Sequence, residues 1–227
     1  MKVNTAQLVG QTEDHLVTLE PGDMKMHKDV LHPFRELQSQ ARSAGFELTV
    51  ASSFRSFDRQ LTIWNEKAAG LRPVLDAQGV PLAIESLSET QLMWAILNWS
   101  ALPGASRHHW GTDMDIWDKA AVASDYRLKL EVEEYQQGGP FFPMVSWLRQ
   151  QLVNEHVGFV FPYCADQGGV QPEPWHLSYQ PVAAMYACQY SIDTLEKVIG
   201  EADILLKNSI LDNIEEIFRR FVLVSPN

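Results

Sequence analysis

Between residues 28 and 44 (KDVLHPFRELQSQARSA) apolar side chains recur at Leu31, Phe34, Leu37 and Ala41. That spacing predicts an amphipathic helix, stopped by Gly45. The pattern then changes to alternation. Phe46, Leu48 and Val50 in FELTVAS predict a strand over 46–52. Ser56 is a candidate N-cap for a helix to about Ala68 that turns Leu61, Ile63 and Trp64 inward. Residues 70–87 hold two prolines and two glycines and read as an inserted loop. Ser88-Glu89-Thr90-Gln91 has the form of a capping box and opens a helix running to Ser100, ended by Leu102-Pro103-Gly104.

Further on, GTDMDIW (111–117) predicts a short strand. Residues 118–139 are acidic, end in Gln-Gln-Gly-Gly and read as an irregular surface segment. A helix is expected from Phe142 to Asn154, then two extended stretches, GFVFPY (158–163) and EPWHLSY (173–179). Beyond Pro181 the pattern is helical, and Ile210, Ile214, Ile217, Phe218 and Phe221 share one stripe. Such a stripe packs on the core by default; a homodimer contact through the C-terminal helices is its other use. Helices mixed with non-adjacent strands give an α+β class.

Length and composition narrow this picture. At 227 residues and 45% hydrophobic, the chain suits one large domain, or one with an appendage. The expected division is a domain over 1–190 and a C-terminal helical appendage over 191–227. A net charge of −11 argues against a nucleic-acid partner and against an electrostatic grip on anionic membranes or wall polymers. The opening MKVNTAQLVGQTEDHLV lacks the apolar core of a signal peptide, and no stretch reaches the length of a membrane span. The expected location is the cytoplasm, or the periplasm if a leader has been removed. Two cysteines, Cys164 and Cys188, make no disulfide framework, and Cys164 is expected to be a buried free thiol rather than a metal ligand.

The candidate chemistry lies in two segments. Ser106-Arg107-His108-His109-Trp110-Gly111-Thr112-Asp113-Met114-Asp115 is one, and Glu173-Pro174-Trp175-His176 the other. Together they offer imidazoles, carboxylates and a spare glutamate. A catalytic zinc needs three such ligands and one open position. His108 and Asp115 are seven residues apart, about 10 Å of rise on a helix, and on opposite faces of a straight strand. The chain must therefore turn between them, and Gly111 can turn freely. Asp113 and Asp115 share one face of a strand, and on the residues alone either can be the ligand. Glu173, stiffened by Pro172 and Pro174, is a candidate general base. His15, His27, His32 and His156 read as ordinary surface or core histidines, and His109 points away from its neighbour. Ser106, His108 and Asp115 form no serine triad, since no G-x-S-x-G elbow is present.

These segments resemble the VanY-type zinc D-alanyl-D-alanine carboxypeptidases, in a superfamily with lysostaphin-like peptidases and the hedgehog signalling domain. The family pattern is Ser-x-His, two residues, Gly, three residues, Asp, then Glu-x-Trp-His. It is matched at Ser106, His108, Gly111, Asp115, Glu173, Trp175 and His176. A third motif, an Arg-Ser pair followed by Gln, is matched by Arg55-Ser56 and Gln60. The likeness spans residues 28–180. It implies a small, mostly antiparallel sheet flanked by helices, with the C-terminal helical segment as an extra. It implies one zinc ion held by His108, Asp115 and His176, with Glu173 as base and then acid, Arg55 at the scissile carbonyl or substrate carboxylate, and Ser106 and Gln60 holding substrate. Many relatives have a small residue where Asp113 stands, so an extra carboxylate here is a candidate hydrogen-bond partner for a metal-bound histidine.

The activity so implied is release of terminal D-Ala from muramyl peptides of the cell wall, through a zinc-activated water. A D,D-dipeptidase or an L-alanyl-D-glutamate endopeptidase would use the same chemistry behind different pocket walls. Arg59, Arg72 and Arg107 are candidate carboxylate anchors. A non-catalytic zinc-binding interaction domain is disfavoured by the presence of both Glu173 and Arg55. A phage lytic enzyme would usually carry a separate, often basic, wall-binding module, and this acidic chain shows none.

Overall fold

The computed structural model describes residues 2–153, 157–166 and 168–222. The chain opens with a short helix α1 (Thr5–Leu8) and a two-stranded hairpin, β1 (Leu16–Thr18) and β2 (Lys25–His27). Helix α2 (Lys28–Ser43) follows at once. His27 caps it, its Nδ1 accepting the Asp29 N–H at 3.1 Å. Val30, Phe34, Leu37 and Ala41 are its buried face, and Leu31 is only half-buried. Each large apolar side chain so buried contributes about 1.5–3 kcal/mol.

Strand β3 (Leu48–Ser52) starts two residues later than the alternation predicts. Helix α3 (Phe57–Ala68) is capped by Ser56, whose hydroxyl accepts the Arg59 N–H. Its buried residues are Phe57, Gln60 and Trp64, while Leu61 and Ile63 lie half-buried on the flank. The insertion is a loop with a turn in which the Asp76 carboxylate accepts the Gln78 and Val80 N–H groups, followed by a 3₁₀ turn at Ile84–Ser86. Helix α4 (Glu89–Leu97) opens with the reciprocal Ser88–Gln91 capping box and ends three residues before Ser100.

Strand β4 (Asp113–Asp118), helices α5 (Val132–Tyr135) and α6 (Phe142–Leu152), and strands β5 (Phe159–Val160) and β6 (His176–Tyr179) complete the central layer. Segment 118–139 begins with the last residue of β4 and is otherwise irregular apart from a 3₁₀ turn at Lys119–Ala121 and α5. The expected end of the following helix at Asn154, and His156, lie outside the described residues. The sheet runs β3-β4-β6-β5 and every neighbour is antiparallel. In β4, Met114 and Ile116 are fully buried on one face with Leu177 of β6. Asp113 and Asp115 occupy the other, opposite Ser178 and His176. This two-residue period turns an apolar core face and a polar site face out of one strand.

The C-terminal helices are α7 (Gln180–Ala187), α8 (Ile192–Glu201), α9 (Lys207–Asp212) and α10 (Ile214–Ile217), with a wide turn over Phe218–Val222. One continuous last helix does not form, because Leu206 is left-handed at φ +63° and Asn213 interrupts the ladder. The apolar stripe nevertheless faces inward. Ile210, Ile214, Ile217 and Phe221 are buried, Phe221 sits 5.9 Å from Trp94, and Phe218 stacks on Tyr190 at 6.0 Å. Trp64 donates its indole N–H to the Leu205 carbonyl. The stripe is thus occupied by packing within its own chain; residues 223–227 of the expected appendage lie outside the described set. One thiol corrects an expectation: Cys164 is exposed, as is Cys188. Among the described residues no helix is long and apolar enough to cross a membrane.

Candidate metal centre

The ligand segment folds as a short 3₁₀ turn, Arg107–Trp110, closed by Gly111 in the left-handed conformation at φ +68°. A Cβ at Gly111 would lie 2.5 Å from a Leu16 methyl and 2.8 Å from the His27 backbone nitrogen. Glycine is therefore required there by both conformation and space. The turn carries the chain from His108 into β4 so that Asp115 lies back beside it.

His108, Asp115 and His176 are brought together, their donor atoms all within 4.8 Å of one another. His108 Nε2 and His176 Nδ1 each lie 3.5 Å from Asp115 Oδ1. The remaining ring nitrogens are engaged. His108 Nδ1 lies 2.8 Å from the Ser53 carbonyl, and His176 Nε2 lies 3.0 Å from Asp113 Oδ1. A carbonyl and a carboxylate can only accept, so both engaged nitrogens carry the proton. That leaves His108 Nε2 towards Asp115, and His176 Nδ1 between Asp115 Oδ1 and Glu173 Oε2. The buried Asp115 Oδ1 has no hydrogen-bond partner among the described residues. A buried carboxylate oxygen without a donor is costly, and a cation between the three residues would satisfy it. The donor set fits zinc, with two imidazole nitrogens, one carboxylate and an open side.

Glu173 stands next to this set. A turn through Pro174 and Trp175, closed by the His176 N–H to the Glu173 carbonyl at 3.0 Å, folds its side chain back. Its Oε2 reaches His176 Nδ1 at 3.1 Å. Burial lowers the pKa of His176, but hydrogen bonds from Asp113 and Glu173 and the charges of Asp113 and Asp115 outweigh it and raise the imidazole to about 9. Burial raises Asp115, yet its carboxyl is held below the usual range, chiefly by His108 and then by His176 and Arg55. The constellation is thus strongly polarised before any ion enters it.

Arg55 approaches from the loop between β3 and α3. Its guanidinium is bonded to the neutral Gln60 Oε1 at 2.9 Å and Ser52 Oγ at 3.3 Å, and feels Asp115 and Glu173 across the cleft. The Arg55 backbone is stapled to the ligand turn. Its N–H donates to the His108 carbonyl at 3.1 Å, and its own carbonyl accepts from His109 Nδ1 at 2.6 Å. His109 points away from the centre and is fully buried, with its Nε2 accepting the Gly104 N–H.

The cleft encloses about 280 Å³. Arg55, Ser106, Glu173 and the three donor residues form its polar side. Leu75 of the insertion, Trp99 and Leu130 of the acidic segment form much of its apolar wall. Gln60 is fully buried outside this lining, its amide divided between Arg55 and the Ala101 carbonyl at 2.8 Å. Its place is behind Arg55 rather than against a ligand. Among the other arginines, Arg107 is bound to Asp113, Arg72 to Glu66, and Arg59 lies outside the lining. Tyr163 is a lining residue that the motifs do not mark, its ring edge-on to His176 at 4.8 Å.

The family model described as VanY, D-alanyl-D-alanine carboxypeptidase, matches residues 23–182. The chain belongs to this family of peptidoglycan peptidases. An uncharacterized protein of Haemophilus influenzae is 35% identical over 124 residues, which is 54% of this chain and 93% of that protein. Among solved structures, VanYB in complex with D-alanine-D-alanine matches with a TM-score of 0.54 at 21% identity, covering 85% of this chain and 92% of that one. A vancomycin-resistance D,D-pentapeptidase VanY in complex with Zn(II) matches at 0.51 and 20%, covering 88% and 92%. The LdcB LD-carboxypeptidase matches at 0.50 and 20%, covering 87% and 77%. At these identities the likeness establishes the VanY fold.

Proposed function

We propose that this VanY-family chain is a zinc-dependent D-alanyl-D-alanine carboxypeptidase acting on muramyl peptides. The observation that carries the reading is the buried Asp115 Oδ1, without a hydrogen-bond partner among the described residues and set 3.5 Å from His108 Nε2 and from His176 Nδ1, with Glu173 alongside. His108, Asp115 and His176 would hold the ion. When bound, zinc supplies a Lewis acid that brings the pKa of a water in the open position to about 7.

The chain's own groups account for the remaining work. The Glu173 carboxylate takes the proton of the attacking water and returns it to the nitrogen of the leaving D-Ala. Arg55 keeps its positive charge against the oxygen of the scissile carbonyl as negative charge grows there. Its hydrogen bonds to Gln60 and Ser52 fix its direction without neutralising it. Ser106 offers a hydroxyl on the cleft wall. Leu75, Trp99 and Leu130 exclude water from the peptide around the cut bond. The relatives bound to D-alanine-D-alanine and to Zn(II) support the same choice of substrate and ion.

The test is incubation with muramyl tri-, tetra- and pentapeptides, free D-Ala-D-Ala and L-Ala-D-Glu peptides, read by mass spectrometry. The expected result is loss of one D-Ala from the pentapeptide, abolished by a chelator and restored by zinc. Cleavage confined to free D-Ala-D-Ala or to the L-Ala-D-Glu bond would replace the carboxypeptidase by a dipeptidase or an endopeptidase. Undiminished cleavage in chelator would overturn the zinc assignment.

A further inference from the structure

Asp113 and Asp115 sit two residues apart on one face of β4 and grip opposite nitrogens of the same ring. Asp115 Oδ1 lies 3.5 Å from His176 Nδ1, and Asp113 Oδ1 lies 3.0 Å from His176 Nε2. Asp113 is itself anchored. It accepts Arg107 Nε at 2.7 Å and the Thr112 hydroxyl at 2.5 Å. Arg107 in turn donates to Ser178 Oγ at 2.7 Å, beside His176 on β6, and its guanidinium lies 5.0 Å from the Trp110 ring centre. Asp113, Thr112, Arg107 and Ser178 are all buried.

Stability is a weak reason for such an arrangement. Desolvating two charges costs several kcal/mol per ion, and apolar replacements of a buried pair are often neutral or stabilising. What the pair does supply is direction. An imidazole free to rotate about its Cβ–Cγ bond by half a turn would present a carbon where Nδ1 now stands. With Asp113 fixed by Arg107 and Thr112, that rotation would leave its carboxylate facing a C–H group. Donation of Nε2–H to a carboxylate also makes the opposite nitrogen a stronger donor to a metal.

We infer that Asp113, held by Arg107, is a positioning residue that locks His176 with Nε2–H inward and Nδ1 towards the metal. The inference rests on the proposed zinc site. Losing such a partner weakens metal affinity by about 10–100-fold.

The experiment compares the full-length wild type with a double variant, Arg107→Met with Asp113→Ala, which removes both charges and leaves none unpaired. Zinc affinity is read by competition with a chromophoric chelator, and folding by thermal unfolding of the metal-free proteins. The expected result is a folded double variant that binds zinc about 10–100-fold more weakly. A folded variant with wild-type affinity would overturn the inference while leaving the zinc site standing. Wild-type protein that binds no zinc would overturn the proposed function and the inference together. Should the double variant not fold, NMR of the cadmium-loaded wild type decides. Cadmium coupled to His176 Nδ1 with a proton kept on Nε2 supports the lock, and cadmium coupled to Nε2 refutes it.

Discussion

Two pairs of buried imidazoles flank the turn at Arg107–Gly111, and their surroundings differ. His108 and His176, with ring centres 4.8 Å apart, lie among Asp113, Asp115 and Glu173. His15 and His27, 5.6 Å apart, lie against the rings of Tyr186 and Phe54. Carboxylates raise His176 to about 9, whereas burial lowers His27 to about 4 against a weaker opposing pull from Asp29, and burial also lowers His15. His27 accepts the Asp29 N–H at Nδ1, so its proton is on Nε2, which has no acceptor among the described residues. It therefore has no lone pair to offer an ion. What separates the two pairs is the set of carboxylates around His108 and His176, so neither proximity nor the number of histidines is enough to make a candidate metal site.

The comparison breaks most sharply at Glu173. Glu173→Gln should lower kcat for D-Ala release by about 10²–10⁴-fold while zinc content, measured by atomic absorption, stays at one per chain. A fully active variant would remove Glu173 from the reaction. Next in size, Arg55→Met should reduce kcat by about 10²–10³-fold with zinc retained, as for loss of one donor to a developing oxyanion. A change confined to KM would instead place Arg55 on the substrate carboxylate.

The aromatic pair has its own signature. The unfolded chain binds the His27 proton near pH 6.5, and the folded protein only near 4. The His27 contribution to stability is therefore full above pH 6.5, falls as pH drops through that window, and levels off below about 4. The loss amounts to about 1–3 kcal/mol once residual solvent screening is allowed for. His27→Asn keeps a capping acceptor but does not titrate. Urea unfolding across this range should show a shallower acid loss for the variant, and parallel curves would contradict the assignment. The smallest effect is expected at Tyr186. Its hydroxyl is buried without a partner among the described residues, so Tyr186→Phe should leave stability within about 1 kcal/mol of wild type, on the stabilising side. A clear destabilisation would mean that this hydroxyl is hydrogen-bonded in solution.

The parts legible in the sequence are those whose cause is local. The face of α2, the Ser56 cap and the Ser88–Gln91 box depend on neighbours within a turn, and each appears where the pattern predicts it. The turn at Gly111 was deducible because seven residues must bring two donors together. The motifs then singled out Asp115, and in the structure Asp115 lies 3.5 Å from both His108 and His176 while Asp113 stands behind His176. Other features arise from residues far apart in the chain. Gln60 reads as a polar residue on a helix, and only the Ala101 carbonyl and Arg55 explain its full burial. Tyr186 meets His15 across 171 positions of sequence, here 186 less 15. The break at Leu206 has no glycine or proline to announce it. Both cysteines are exposed although thiols are usually buried.

The staple between Arg55 and the ligand turn has a consequence for how the site comes apart. The Arg55 N–H is hydrogen-bonded to the carbonyl of His108, and the Arg55 carbonyl to the His109 ring. A fluctuation that frees one of these segments must also free the other, so the guanidinium and His108 open as one cooperative unit. The exchange rate of the single Arg55 amide hydrogen is then a gauge of the whole centre's integrity, readable without substrate.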